Sequence, residues 1–389
     1  MITFLVLLLL QTNPWVTQAV DAPNIEHIVF YSTATQSEVS FHIYIPPSYQ
    51  SDTNKSFPVL YWLHGGGGGL QGIPTLRNYF HANMLNDTLP EMIVVFPWGL
   101  PFGMWVDSKN GQQPVESMLM ENLIPYVDEN YRTIADRSGR IIEGFSMGGY
   151  GAARLGLTYP DIFAGFSMLG AGPVQLDFIN YPHVRTPLEL RLQIFDEVYG
   201  NDYDYFVAMS PWTIGAAVVN ELPEGYPFRS VTGTDDILIH MNRDLHDHWV
   251  ESGLEFEYIE VPDADHAAMQ LLSYLTQNGK QTFYASVLES ATNVDAETGS
   301  IPKNFNLGYN YPNPFNPATL IEFTVNQTAE IRLEVFDING RPIAILAEGK
   351  HAAGTYIVPF NAEHLASGVY IYRLSSGDLF QSHKMTLIK

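Results

Sequence analysis

Three residue types along this chain have the chemistry for nucleophilic catalysis. Ser146 stands in Gly144-Phe145-Ser146-Met147-Gly148, a Gly-x-Ser-x-Gly pattern. A serine hydroxyl is a weak nucleophile until a base takes its proton, and the base needs a carboxylate to hold the right tautomer. Downstream, the main part of the chain offers His183, His240, His246, His248 and His266. His240, His246 and His248 fall in a helix-patterned run at 237–250, and His183 sits in a proline-containing loop ahead of any candidate acid. His266 follows the strand-like run 255–261 and the polar loop Pro262-Asp263-Ala264-Asp265, which puts it beyond a strand's carboxyl end. The acid candidates are Asp235 and Asp236, after the short apolar strand at 228–231. Two adjacent aspartates point different ways, so one faces the site and the other solvent. Residue chemistry does not choose between them.

The serine needs donors for the oxyanion that forms on attack. His64-Gly65-Gly66-Gly67-Gly68-Gly69 directly follows the apolar strand 58–63. Glycines at such a place let backbone approach a ligand closely, and in a His-Gly-Gly-Gly motif one loop N–H donates to the oxyanion. Gly66 is the expected loop donor, with Gly67 the near alternative. The N–H of Met147, the residue after the serine, is the expected second donor. His64 reads as a loop-orienting residue rather than a catalyst. Asp244, His246 and His248 have the donor types of a metal site. Two-residue spacing on a helix puts the imidazoles on different faces, so no metal is expected there.

These residues need elements to hold them. Ile141 and Ile142 read as the end of a buried strand, and residues 149–159 as a helix that stops before Pro160. A serine between them sits on a turn so tight that Gly144 and Gly148 must lack side chains. The following helix N-terminus offers free N–H groups and the positive end of a dipole. Upstream, residues 28–31 and 39–45 read as antiparallel strands, and residues 58–63 and 92–97 as buried ones. Strands alternating with helical stretches predict an α/β fold with a mostly parallel central sheet, its chemistry at the strands' carboxyl ends. Residues 171–227 carry few strand signals and many aromatics, among them Phe178, Tyr199, Phe206 and Trp212. They read as a helical insertion or lid whose aromatics either wall the site or fill the core.

The chain has 389 residues, a net charge of −23 and no cysteine. The charge argues against nucleic acid and anionic membrane surfaces as partners. The missing cysteine excludes disulfides, thiol catalysis and cysteine-ligated metals. Residues 4–10 are a compact apolar run, too short to span a bilayer and the length of a signal-peptide core, though no lysine or arginine precedes it. Residues 1–22 are therefore read as a signal peptide, with Ala19 and Ala22 as plausible cleavage ends. A single large domain then covers 23–289, and a small polar linker 290–308. Residues 309–389 bring short alternating runs separated by turns, which predicts a small all-β sandwich with no catalytic cluster.

At this point the residues carry a resemblance. Residues from about 25 to 285 resemble the esterase-D/feruloyl-esterase-like family of α/β-hydrolases. The matching stretches include Leu63-His64-Gly65-Gly66-Gly67, Leu123-Ile124-Pro125-Tyr126-Val127, Gly144-Phe145-Ser146-Met147-Gly148-Gly149-Tyr150-Gly151-Ala152, Gly233-Thr234-Asp235-Asp236 and residues 262–266. The resemblance implies an α/β-hydrolase fold, a Ser146–His266–Asp236 triad with Asp236 rather than Asp235 as acid, and no metal or organic cofactor. It implies hydrolysis of small-molecule or polysaccharide-linked esters, feruloyl or acetyl, with acyl transfer and non-catalytic binding as alternatives. Two departures lie at the rim: Ala264-Asp265-His266 where the family has Gly-Gly-His, and Pro97-Trp98-Gly99 where it has Pro-Asp-Gly. The tail, through Tyr311-Pro312-Asn313-Pro314-Phe315-Asn316-Pro317 and Ser367-Gly368-Val369-Tyr370, resembles the C-terminal sorting domain of type IX secretion substrates. That resemblance implies recognition by the secretion machinery and release or surface attachment. A carbohydrate-binding module is the alternative for the tail.

Overall fold

The computed structural model describes residues 13–177, 179–181, 186–298, 305–311, 313, 315–337, 341–377 and 379–387. The apolar run at 4–10 lies outside them. The chain divides into two units, Met1–Val294 and Asp295–Lys389.

The first unit is built on eight strands: β1 (Ile25–Ser32), β2 (Ser37–Tyr44), β3 (Val59–Leu63), β4 (Ile93–Pro97), β5 (Arg140–Phe145), β6 (Gly165–Leu169), β7 (Phe228–Gly233) and β8 (Glu257–Val261). Their spatial order is β1-β2-β4-β3-β5-β6-β7-β8. From β4 to β8 the pairing is parallel, while β1 and β2 join antiparallel at one edge. β3, β4 and β6 are buried along their whole length, because helices cover both faces of the sheet. Successive side chains alternate between those faces. Tyr61 and Ile142 enter a core with Tyr150, Leu155 and Trp249, while Trp62 and Ile141 enter another with Phe80, Leu271 and Tyr284. This is the expected α/β-hydrolase arrangement.

Two segments sharpen or change the sequence reading. Residues 188–218 are helical, as Leu188–Glu197, Tyr203–Met209 and Pro211–Val218. Tyr199 and Phe206 are buried and meet edge to face at 5.0 Å, so these two aromatics fill core rather than wall a pocket. Phe178 lies outside the described residues. The stretch expected to be a linker from residue 290 instead continues a helix, Thr282–Thr298. Phe283, Tyr284 and Val287 anchor its first half in the core, and extending a formed helix costs far less than nucleating one.

The second unit has β9 (Phe305–Tyr311), β10 (Ala318–Val325), β11 (Ala329–Asp337), β12 (Pro342–His351), β13 (Gly354–Asn361), β14 (Gly368–Ser376) and β15 (Leu379–Leu387). They form a three-stranded sheet, β13-β10-β9, and a four-stranded one, β12-β11-β14-β15. Ile321, Phe323, Leu333, Val335, Tyr372 and Leu374 pack in its own core. β9 was read as linker and motif rather than strand: Phe305, Leu307, Tyr309 and Tyr311 alternate, but Asn306, Gly308 and Asn310 between them carry low β propensity. Its two buried apolar residues pay for the pairing with β10.

Candidate active site

Ser146 lies between β5 and the helix Met147–Thr158, at φ 58° and ψ −118°. A non-glycine residue at positive φ is strained, and the neighbours hold it there. A side chain on Gly148 would run into the carbonyl of Leu63, at the end of β3, so the turn closes only over a glycine. The Ser146 N–H donates to Leu169 O at 2.9 Å, and Ser146 O accepts from Gly172 N–H at 3.1 Å.

Four strand ends converge here. β3 runs into His64, β5 into Ser146, β7 into Asp236, and β8 into the loop with His266. Ser146 Oγ lies 3.0 Å from His266 Nε2. His266 Nδ1 lies 2.9 Å from both Asp236 oxygens, in the position to donate to that carboxylate. Asp236 has no exposed side-chain surface, and its Oδ1 also accepts the Leu238 N–H at 2.7 Å. Asp235 is exposed. What separates the two is an interlock of loops. The Asp235 N–H donates to Ala264 O, the Thr234 N–H to Val261 O, and the Asp263 N–H to Thr234 Oγ1. These bonds turn Asp236 inward under His266.

Gly170 was not singled out from the sequence. It follows β6 at φ 47°, and a Cβ there would stand 2.9 Å from Asp236 Oδ2 and 3.4 Å from His266 Nδ1. The Asp236–His266 pair is therefore backed directly against backbone. The only sequence signal was a glycine right after a buried strand, which by itself reads as a turn.

His64 is buried and takes no part in the serine–histidine contact. Its Nε2 accepts the Gly99 N–H at 3.1 Å, which leaves Nδ1 to donate to Gly65 O at 2.8 Å. Burial lowers its pKa to about 4, so the ring stays neutral and ties the glycine loop to the loop after β4. The Gly67 N–H is already engaged, donating to Pro101 O at 2.7 Å. The Gly66 N–H has no partner among the described residues. Met147 opens its helix, so its N–H has no intrahelical acceptor.

A buried charge pair lies under the elbow. Glu143, Ser167 and Arg229 are in register across β5, β6 and β7. Arg229 reaches Glu143 at 3.3 Å and Ser167 Oγ at 2.9 Å, and the Tyr284 hydroxyl donates to Glu143 at 2.7 Å. A charged residue three positions before Ser146 in an apolar strand was the available signal. Asp244, His246 and His248 do not converge. Asp244 accepts from Gln175 and Tyr181, His246 lies against Tyr258, and His248 stacks on Trp212 at 4.1 Å. No cluster of three metal-ligating side chains occurs among the described residues.

Comparison with known proteins follows the same division. Residues 32–213 match the family described as "Putative esterase", and residues 310–389 the family described as "Secretion system C-terminal sorting domain". An endo-1,4-beta-xylanase/feruloyl esterase of Xylanibacter ruminicola is 29% identical over 167 residues, 41% of this chain and 23% of that one. The chain thus spans about a quarter of that relative's length. An acetyl esterase of Caldicellulosiruptor saccharolyticus is 24% identical over 61% of this chain and 90% of its own. A solved ferulic acid esterase superposes with a TM-score of 0.53 at 19% identity, over 69% of this chain and 98% of that one, a likeness of fold. Among the described residues, no helix is long and apolar enough to cross a membrane.

Proposed function

We propose that the chain is an exported serine carboxylesterase, a reading supported by the match of residues 32–213 to the esterase model and of residues 310–389 to the secretion sorting-domain model. The observation that carries this reading is the 3.0 Å approach of Ser146 Oγ to His266 Nε2, with Asp236 on the far side of the ring. Ser146 attacks the ester carbonyl while His266 takes its proton. Asp236 holds the imidazole with Nδ1 protonated and stabilises the imidazolium. The Gly66 and Met147 N–H groups bind the oxyanion of the tetrahedral intermediate. His266 then returns the proton to the leaving alcohol, and water repeats the sequence to free the acid. No step calls for a metal or an organic cofactor.

The ester is feruloyl or acetyl, borne on a plant or algal polysaccharide. The activities named for the Xylanibacter and Caldicellulosiruptor relatives support that class. The sorting tail supports delivery by the type IX machinery to the cell surface or beyond, where such polymers are met. The test is Ser146→Ala. Hydrolysis of p-nitrophenyl acetate and covalent labelling by a fluorophosphonate are both expected to disappear, and activity kept within about tenfold would overturn the assignment. Methyl ferulate and acetylated xylan, assayed side by side, separate the two acyl classes. Added glycerol or sugar separates hydrolysis from acyl transfer.

A further inference from the structure

β2 lies between β1 and β4, yet β4 pairs only with its second half, Phe41 to Tyr44. The first half of that edge is covered by residues ahead of β1. The Ser40 N–H donates to Trp15 O at 3.0 Å, and the Thr17 N–H to Ser40 Oγ at 2.8 Å. The Val20 N–H donates to His42 Nε2 at 3.1 Å, and Asn13 Nδ2 to Glu38 O at 2.7 Å. Trp15 is 7% exposed and belongs to the same apolar core as Phe41 and Ile43. Because this stretch prolongs the line of β4 past Pro97, it arrives beside the site. Pro14 O accepts the Trp98 indole N–H at 2.8 Å. Trp98 stacks on His64 with ring centroids 5.0 Å apart, and His64 holds the glycine loop.

We propose that residues 13–22 are a strap belonging to the mature catalytic unit, and that the strap positions the oxyanion loop through Trp98 and His64. The exported chain therefore keeps Trp15, and N-terminal processing falls ahead of Asn13 rather than after Ala19 or Ala22. A cut at either alanine would empty the Trp15 site, bare the edge of β2 and leave the Trp98 N–H without its acceptor. Trp98 and Trp15 act here as positioning residues, since neither touches the Ser146–His266 pair.

The test begins with the full chain exported by its native host, its N-terminus read by intact mass and peptide mapping. The expected product contains Trp15. A product starting at Val20 or Pro23 overturns the proposal. Chains starting at Asn13 and at Pro23 are then compared. The first is expected to melt like the full chain, and the second at least about 5 °C lower; equal melting overturns the strap. Trp98→Phe in the full chain keeps an aromatic ring beside His64 while removing the N–H to Pro14 O together with part of the indole, so it reports even if the shorter chain does not fold. Its kcat on p-nitrophenyl acetate is expected to fall about three- to tenfold with KM and Tm nearly unchanged, because an oxyanion donor acts in the transition state. An unchanged kcat breaks the link between strap and loop. The mass and melting readouts stand whether or not the chain is an esterase, so failure of that reading is seen separately.

Discussion

At the scale of single residues, the site turns on which groups are forced to face His266. Asp236 is buried and meets Nδ1 with both oxygens, while Asp235 is exposed. Asp236→Asn is expected to lose at least about a hundredfold in kcat, since an amide favours the wrong histidine tautomer. Asp235→Asn is expected to stay within about tenfold; steady-state kinetics on variants of matched melting temperature decide, and the reverse pattern reassigns the acid. Gly170 supplies a second case. Its positive φ disfavours any side chain, and a methyl there would press on Asp236 and His266. Gly170→Ala is expected to lower kcat at least about tenfold, a larger effect than its loss of thermal stability alone explains. Crystallography of the variant would reveal a displaced carboxylate, and an undisturbed triad with full activity would contradict the argument.

At the scale of elements, the elbow strand is pinned from below. Glu143 and Arg229 have no exposed side-chain surface, and each charge is tolerable only because the other is there. Arg229→Met leaves Glu143 buried without its cation and is expected to cost about 3–5 kcal/mol by denaturant unfolding. Tyr284→Phe removes one hydrogen bond to the same carboxylate and should cost about 1–3 kcal/mol. Equal, small effects from both would mean the pair is not a pin. The loops and the strap share a different device. His64 and His42 each accept a backbone N–H on Nε2, which only an unprotonated nitrogen can do, and burial lowers both to about 4. For His42 the neighbouring His27 ring, 4.7 Å away, works in the same direction. Because the unfolded rings titrate near their ordinary 6.5, their stabilising contribution is complete above that pH. It is lost as pH falls from about 6.5 towards 4. Tm followed across that window should decline, and His42→Gln, which can still accept the Val20 N–H, should make the decline shallower. A flat profile in the unmodified chain would remove the claim.

At the scale of the whole molecule, the candidate site and the stretch that matches the sorting-domain family lie in two units with separate cores. The first unit's cores are built from the eight-stranded sheet and its helices, the second's from β9 to β15. A chain ended at Val294, which keeps Tyr284 and Val287 in place, is expected to hold kcat/KM within about twofold and to stay inside the cell. Cell fractionation with an activity assay reads both halves of that expectation. Loss of activity on truncation would mean that the tail contributes to the catalytic unit.

What the sequence determined alone is whatever depends on neighbours a few positions apart. The elbow around Ser146, the buried strands and the glycine loop are local: each residue's role follows from the residues beside it, and strand and helix periods are read over short windows. The alternation in residues 318–387 was legible for the same reason; in β9 the alternation of Phe305, Leu307, Tyr309 and Tyr311 is interrupted by Asn306, Gly308 and Asn310, residues of low strand propensity that read as linker. Other features depend on elements far apart in the chain. Asp236 over Asp235 is decided by bonds between the β7 and β8 loops, and the burial of Glu143 by an arginine 86 positions later. Gly170 matters only because Asp236 and His266 close on it. The residues ahead of β1 carry an alanine pattern that reads locally as a cleavage site. Only the folded sheet, with half of one edge of β2 unpaired by β4, gives Trp15 a place to be buried and Pro14 a partner in Trp98.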